Sequence, residues 1–186
     1  MIKLVEARTK EQLDNVRALY VEAFPKEERK DFELMLEKRD AGSMEIFSIE
    51  NEEGEFLGLT ITVLYKDLVL WDYLACCKEI RGKGVGSEVI RLLKERYQEK
   101  RVVLEFESTL VPCDNLIQRK RRKALYERIG LKLLPYQVSL FGIEMEMMST
   151  GAYISFEDYH KIYDKVFGEK ISKNIVFLGE DNKRNP

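Results

Sequence analysis

The sequence predicts a mixed α/β fold in which helices flank a central mixed sheet of about six to seven strands. Its hydrophobic pattern switches between a helical period and a strand period along the chain. A predicted helix separates two of the strands, so those strands can lie parallel. The 186 residues, 45% of them hydrophobic, suffice for one domain with a complete core.

Seven segments have the short, β-branched and aromatic character of strands. The run 68–76 is apolar almost throughout, which indicates a central strand covered on both faces. The predicted strands are residues 2–7, 44–49, 56–65, 68–76, 102–106, 132–134 and 142–148.

Five segments have helical periodicity. Thr9 and Gln12 form a capping-box sequence that begins the first helix, because each side chain can satisfy a backbone N–H at the helix start. Pro25 ends that helix, and Gly130 is a typical residue after a helix end. The predicted helices are residues 9–24, about 30–38, 84–99, 114–129 and 155–167, and residues 181–186 are expected to fray.

Composition argues against several classes of function. A net charge of −2 gives no reason to expect nucleic acid or an anionic membrane as a partner. The start of the chain is charged, and no apolar stretch approaches the roughly 20 residues of a membrane span, so we expect a cytoplasmic protein. Cys76 and Cys77, adjacent in an apolar run, are interpreted as small buried hydrophobes. With the lone His160 no metal site is expected.

The segment Arg81-Gly82-Lys83-Gly84-Val85-Gly86 lies between a predicted strand and a predicted helix. Glycines let the backbone bend so that successive N–H groups converge, and a helix N-terminus adds a positive dipole. Such a turn suits a pyrophosphate, and Arg81 and Lys83 add countercharge. A P-loop would need Gly-Lys-Ser/Thr, whereas Gly86 is followed by Ser87-Glu88. The spacing does not match a dinucleotide fingerprint either.

This turn and the order of elements resemble the GNAT superfamily of acyl-CoA-dependent N-acetyltransferases over roughly residues 2–148. The family signature at this place is Gln/Arg-x-x-Gly-x-Gly/Ala, which residues 81–86 satisfy. The resemblance implies a three-layer core over residues 1–148, with residues 149–186 as a C-terminal helical extension packed on the same domain. It also implies acetyl-CoA as the acyl donor, with no metal.

The resemblance assigns roles to particular residues. The N–H of Leu74 would stabilise the tetrahedral oxyanion. Tyr126, in the second signature Leu125–Leu131, corresponds to the residue that protonates the departing CoA thiolate. The alternative for Tyr126 is a packing tyrosine. Contacts with coenzyme A are expected from Leu74, Ala75, Cys76, Arg81, Gly82, Lys83, Gly84, Val85, Gly86, Ser87 and Arg119.

One departure from the family concerns the basic run at residues 118–123. Arg119 and Arg122 stand where relatives often carry Asn and Ala. Two interpretations are open: a solvated helix face, or an arginine that turns inward onto CoA or an anionic acceptor.

A general base is harder to assign, since the attacking amine must first lose a proton. Glu107 is favoured because it lies at the carboxyl end of its strand. Each candidate could equally be a surface charge or a structural ion pair, and a water chain could serve instead. The candidates are Asp72, Glu105, Glu107, Glu27 and Glu28.

The predicted function is acetyl transfer from acetyl-CoA to a primary amine of a small molecule or peptide, directly through a tetrahedral intermediate. One alternative is a CoA-binding sensor or regulatory domain that transfers nothing. Another is a nucleic-acid module built on residues 119–123, which would require steeply salt-dependent binding. The aromatic stripe of the last helix would pack on the sheet, against the partner of a homodimer, or over the acceptor as a lid.

Overall fold

The computed structural model describes residues 1–180, which form two compact units. The first unit contains Met1–Leu64 and Trp71–Gln98, and the second contains Tyr65–Leu70 and the chain from Glu99 onward. The expected fraying of residues 181–186 lies outside the described residues.

The first unit has three helices and four strands, and its strands follow the order β1-β2-β3-β4. Antiparallel pairing places Leu4 opposite Ile49, and Ile46 opposite Ile61. Its elements are β1 (Lys3–Glu6), α1 (Lys10–Ala23), α2 (Phe32–Asp40), β2 (Met44–Glu50), β3 (Phe56–Tyr65), β4 (Leu68–Cys76) and α3 (Val85–Arg96). The last residue of β3 and the first three of β4 are assigned to the second unit.

The start and end of α1 confirm the sequence prediction. The Gln12 N–H donates to Thr9 Oγ1, and the Thr9 N–H donates to Gln12 Oε1, each at 3.2 Å. The helix stops at Ala23, two residues before Pro25. The buried face of α1, at Val16, Leu19 and Tyr20, supplies part of this unit's core.

The second unit has three helices and four strands in the order β5-β7-β6-β8. All its described pairings are antiparallel, with Glu105 opposite Met147 and Val138 opposite Met145. Its elements are β5 (Arg101–Glu107), α4 (Leu116–Arg128), β6 (Lys132–Leu140), β7 (Ile143–Ser149), α5 (Phe156–Phe167), α6 (Glu169–Ser172) and β8 (Ile175–Glu180).

Helices cover both faces of the sheet in this second unit. The Phe106 ring contacts the Tyr126 ring of α4 edge to face, with centroids 5.9 Å apart. The neighbouring Glu105 accepts hydrogen bonds from Tyr159 and Tyr163 of α5. Because adjacent strand residues point to opposite faces, α4 and α5 lie on opposite sides. This arrangement confirms the layered α/β prediction, and the stripe of α5 packs on the sheet.

Two predictions about the C-terminal part need correction. The structure has eight strands among residues 1–180, not six to seven. The extension at 149–186 is not wholly helical, because β8 follows α6 and pairs with β6. Strand β6 also runs on to Leu140 beyond Pro135, which lies where the β6–β7 register shifts. A proline is tolerated there, since an irregular ladder does not need its missing N–H.

Candidate functional site

The glycine turn before α3 has the backbone of an anion-binding turn. Gly82 and Gly84 have φ of +80° and +84°, in the left-handed region that favours glycine. Gly84 caps the 12-residue α3 without a side-chain hydrogen bond. The first-turn N–H groups have no acceptor within the helix, so they can bind a ligand anion.

The outer side of this turn is unfilled. A Cβ atom added to Gly82, Gly84 or Gly86 would meet nothing within 4 Å beyond its chain neighbours. Gly86 lies inside α3 without a positive φ, so neither packing nor backbone conformation of the described residues requires glycine there. The positive φ accounts for Gly82 and Gly84, whereas close approach of a ligand would account for Gly86.

The basic residues of the turn are exposed, as countercharges for an anion would be. Arg81 Nε donates to the carbonyl oxygen of Cys76 at 3.2 Å, which ties the turn to the end of β4. Lys83 and Ser87 lie beside it, exposed and half-buried respectively. Val85 is turned into the core at 9% exposure and anchors the helix start.

Strand β4 comes very close to β3 at the residues expected to bind the donor. A Cβ atom on Gly58 would lie 2.4 Å from the carbonyl oxygen of Ala75, so only glycine fits there. Leu74 and Cys76, on either side, are half-buried. The close contact fixes the position of the Ala75 peptide.

The adjacent cysteines Cys76 and Cys77 are free and half-buried, so the expectation that they are buried hydrophobes holds only in part. Burial raises the pKa of the Cys76 thiol, with a smaller contribution from Cys77, while Arg81 opposes it. Burial likewise raises the pKa of Cys77. Thiols with raised pKa values are poor nucleophiles at neutral pH, so nothing here favours an acyl-cysteine.

Asp72 is engaged in a buried ion pair. Lys30 Nζ lies 2.8 Å and 2.9 Å from its two carboxylate oxygens, and the side chains of Lys30 and Asp72 are 7% and 2% exposed. Burial raises the pKa of Asp72, and the Lys30 ammonium opposes that rise. As a general base Asp72 would have to break this pair.

Tyr126, in the second unit, is half-buried against Phe106. Burial raises the pKa of its hydroxyl, and the positive charge of Arg122 acts in the opposite direction. The phenol therefore stays protonated at neutral pH, as a proton donor must, although it is a weaker acid than a phenol in water.

Glu107, the favoured base, forms an ion pair with Arg119. Arg119 Nη2 lies 2.6 Å from Glu107 Oε1, and Nη1 donates to the Ser108 carbonyl oxygen at 3.1 Å. Arg122 Nη1 lies 3.6 Å from the other oxygen. Of the two interpretations of the basic run, Arg119 follows the inward one, but its partner is a protein carboxylate.

A second buried acid, Glu146 on β7, was not among the candidates and is 0% exposed. It accepts hydrogen bonds from the N–H and Oγ1 of Thr109 at 2.7 Å and 2.6 Å, and from Lys123 Nζ at 2.7 Å. The available signal was an acid alternating with Met145 and Met147 in an apolar strand. Glu146 anchors α4 and the loop after β5.

Glu105 holds α5 in the second unit, as its bonds to two tyrosines indicate. Tyr163 Oη donates to it at 2.6 Å, and Tyr159 donates to the other oxygen. A structural role therefore accounts for this candidate base. Glu27 and Glu28 lie in the 3-10 turn Lys26–Glu28 between α1 and α2.

Within residues 1–180, no group of three or more His, Cys, Asp or Glu side chains is placed to hold a metal ion. His160 Nε2 lies 3.1 Å from the Ser172 carbonyl oxygen. In the same described part of the chain, no helix is long and apolar enough to cross a membrane.

Comparison with solved structures shows a shared fold. A GNAT-family protein from Bacteroides thetaiotaomicron superposes with a TM-score of 0.72 at 22% identity, covering 90% of this chain and 98% of that one. An aminoglycoside 6'-N-acetyltransferase complexed with coenzyme A gives 0.63 at 15% identity, with 80% and 95% covered. Spermidine N-acetyltransferase from Vibrio cholerae, in complex with CoA and spermine, gives 0.61 at 14%, with 80% and 94% covered.

The sequence itself identifies the family. No protein of curated function matches the chain. The profile of the Acetyltransferase (GNAT) family matches residues 13–130, which is more than half of the chain and includes the glycine turn. The chain therefore belongs to the GNAT family of acetyltransferases.

Proposed function

We propose that this acetyltransferase moves an acetyl group from acetyl-CoA to a primary amine of a small molecule or peptide. The observation that carries the proposal is the unfilled turn at residues 82–86, where three glycines leave space in front of a helix N-terminus. Backbone N–H groups there match a pyrophosphate in charge and hydrogen bonding. The solved relatives with coenzyme A support this choice of donor.

The proposed reaction is a direct transfer. The amine nitrogen attacks the thioester carbon, and the N–H of Leu74 stabilises the negative charge that develops on the thioester oxygen. The new C–N bond persists as the C–S bond breaks. Tyr126 donates its hydroxyl proton to the departing thiolate.

The proton lost by the amine goes to Glu107 or to water in this proposal. Glu107 is already paired with Arg119, so their 2.6 Å contact has to loosen before the carboxylate can accept a proton. A short water chain would avoid this cost. Substitution of Glu107 by Gln distinguishes the two, because it should lower kcat only if Glu107 accepts the proton directly.

An assay of CoA thiol release over a panel of primary amines tests the proposed function. We expect thiol release that requires an amine and equals the acetylated amine found by mass spectrometry. A protein that binds acetyl-CoA but acetylates no amine would instead be the sensor domain that the sequence left open.

A further inference from the structure

The loop between α1 and α2 carries an arginine without a partner. Arg29 follows the 3-10 turn Lys26–Glu28 and precedes α2. Its Nε is buried without a hydrogen-bond acceptor, and no carboxylate among residues 1–180 forms an ion pair with its guanidinium. A buried charged donor without an acceptor is costly, so natural proteins rarely keep one unless a ligand completes it.

The backbone on both sides of Arg29 is held firmly, so a loose loop does not explain the missing partner. Tyr73 Oη donates to the Glu28 carbonyl oxygen at 2.7 Å and accepts from the Lys30 N–H at 3.3 Å. Tyr20 Oη donates to the Lys30 carbonyl oxygen at 3.1 Å. The two tyrosine rings also contact edge to face, with centroids 4.9 Å apart. Arg29 is therefore presented from a fixed position.

The nearest acid on β4 is already neutralised. Asp72 accepts both short contacts from Lys30 Nζ, in a pair that is almost fully buried. Among residues 1–180, Asp72 is therefore taken by Lys30, and no ion pair neutralises the charge of Arg29. The side chain is still partly exposed, so a ligand can reach it.

This loop borders the proposed place of reaction within the first unit. Its contacts on β4 are Asp72 and Tyr73, which directly precede Leu74. Leu74 is the residue proposed to stabilise the oxyanion. The residues on both sides of Arg29 therefore contact the middle of β4, next to Leu74.

We propose that Arg29 binds the carboxylate of the acceptor, so that the acceptor is a primary amine that also carries a carboxylate. A guanidinium can bind a carboxylate through two parallel hydrogen bonds, and a partly buried site strengthens them. The same charge disfavours polycationic amines. This inference rests on the proposed acetyl transfer and narrows its substrate class.

Matched pairs of amines test the inference. Each ω-amino acid is compared with the diamine of the same chain length, which replaces the carboxylate by a second ammonium. We expect the wild type to have the higher kcat/KM for the amino acid. Arg29→Gln should lower that kcat/KM about 10- to 100-fold, as loss of a charged hydrogen bond does, and should not lower the value for the diamine.

Two further variants control for charge. Arg29→Lys keeps the charge without the planar fork and should retain part of the preference. Arg17→Gln removes an exposed arginine of α1 that pairs with Glu33, and should leave the preference unchanged. The thermal unfolding midpoint of Arg29→Gln should equal or exceed that of wild type, because the lost charge has no partner to leave behind.

Several results would overturn the inference. Equal turnover of both amines by wild type would remove the role of the carboxylate. A raised KM for acetyl-CoA in Arg29→Gln, with both amines affected equally, would place Arg29 on the donor. A lower unfolding midpoint with an unchanged preference would assign it to stability. Wild type that acetylates other primary amines but neither of these series refutes this inference alone, whereas acetylation of no amine, or failure to bind acetyl-CoA, refutes the proposed function as well.

Discussion

Replacement of Lys30 by Met should destabilise the protein, because it leaves Asp72 as a buried carboxylate without its counter-ion. The two contacts at 2.8 Å and 2.9 Å and the 2% exposure of Asp72 describe a fully desolvated pair. Removal of one member of such a pair costs about 3–5 kcal/mol of unfolding free energy. Methionine has an unbranched side chain like that of lysine, so the lower unfolding free energy comes mainly from removal of the ammonium charge.

This loss of unfolding free energy should depend on pH, because a proton bound by Asp72 removes its unpaired charge. Burial raises the pKa of Asp72, and the Lys30 ammonium opposes that rise. Without Lys30, only the effect of burial remains, so the pKa of Asp72 is higher in the variant. The native variant then binds a proton that the unfolded chain releases above about pH 4. Stability falls with pH wherever the native state binds more protons. The deficit relative to wild type is therefore largest near neutral pH and shrinks toward about pH 4.

Urea unfolding, monitored by the fluorescence of the single tryptophan, measures this loss of unfolding free energy at each pH. Trp71 is 8% exposed and adjoins Asp72. The double variant Lys30→Met/Asp72→Asn should lose less than the sum of the single variants. Lys10→Met is the matched control, because the side chains of Lys10 and its partner Asp14 are 89% and 61% exposed. Such an exposed pair should contribute less than about 1 kcal/mol to the unfolding free energy. A Lys30→Met deficit as small as this control, or one independent of pH, would refute the reasoning.

Two further substitutions test the β4 strand and the proton donor. Gly58→Ala should cost about 1–3 kcal/mol and weaken acetyl-CoA binding in calorimetry, because its Cβ meets the Ala75 carbonyl oxygen at 2.4 Å. Gly86→Ala, whose Cβ meets nothing within 4 Å, is the stability control, and equal stability of the two would contradict this packing. Tyr126→Phe should lower kcat about 100-fold with little change in the KM for acetyl-CoA. Unchanged kcat would leave Tyr126 a packing residue, since Phe keeps the ring.

The sequence predicts local structure well where one short pattern decides it. Thr9 and Gln12 form the expected capping box because both partners lie within four residues. The glycine turn and the start of α3 follow from backbone conformations that only glycine adopts easily. Strand β4 has the predicted bounds, and its first four residues are buried on both faces, as its apolar run predicts.

Pairings between distant residues could not be predicted in the same way. Lys30 and Asp72 are separated by 42 positions, and Lys123 and Glu146 by 23, so no local period marks them. Strand β8 was missed because its short apolar run depends on pairing with β6. The preference for Glu107 as base rests on its place at the strand end. That place does not indicate that Glu107 forms an ion pair with Arg119.

The central claim is that the glycine turn holds acetyl-CoA, and calorimetric titration with acetyl-CoA and with desulfo-CoA tests it most directly. Gly86→Glu is the informative variant, because its side chain would enter the unfilled space without a positive φ. Gln98→Glu adds the same charge at an exposed position outside the turn. We predict tight binding by wild type and Gln98→Glu, and none by Gly86→Glu. Failure of wild type to bind at sub-millimolar donor, or equal binding by all three, would contradict the account.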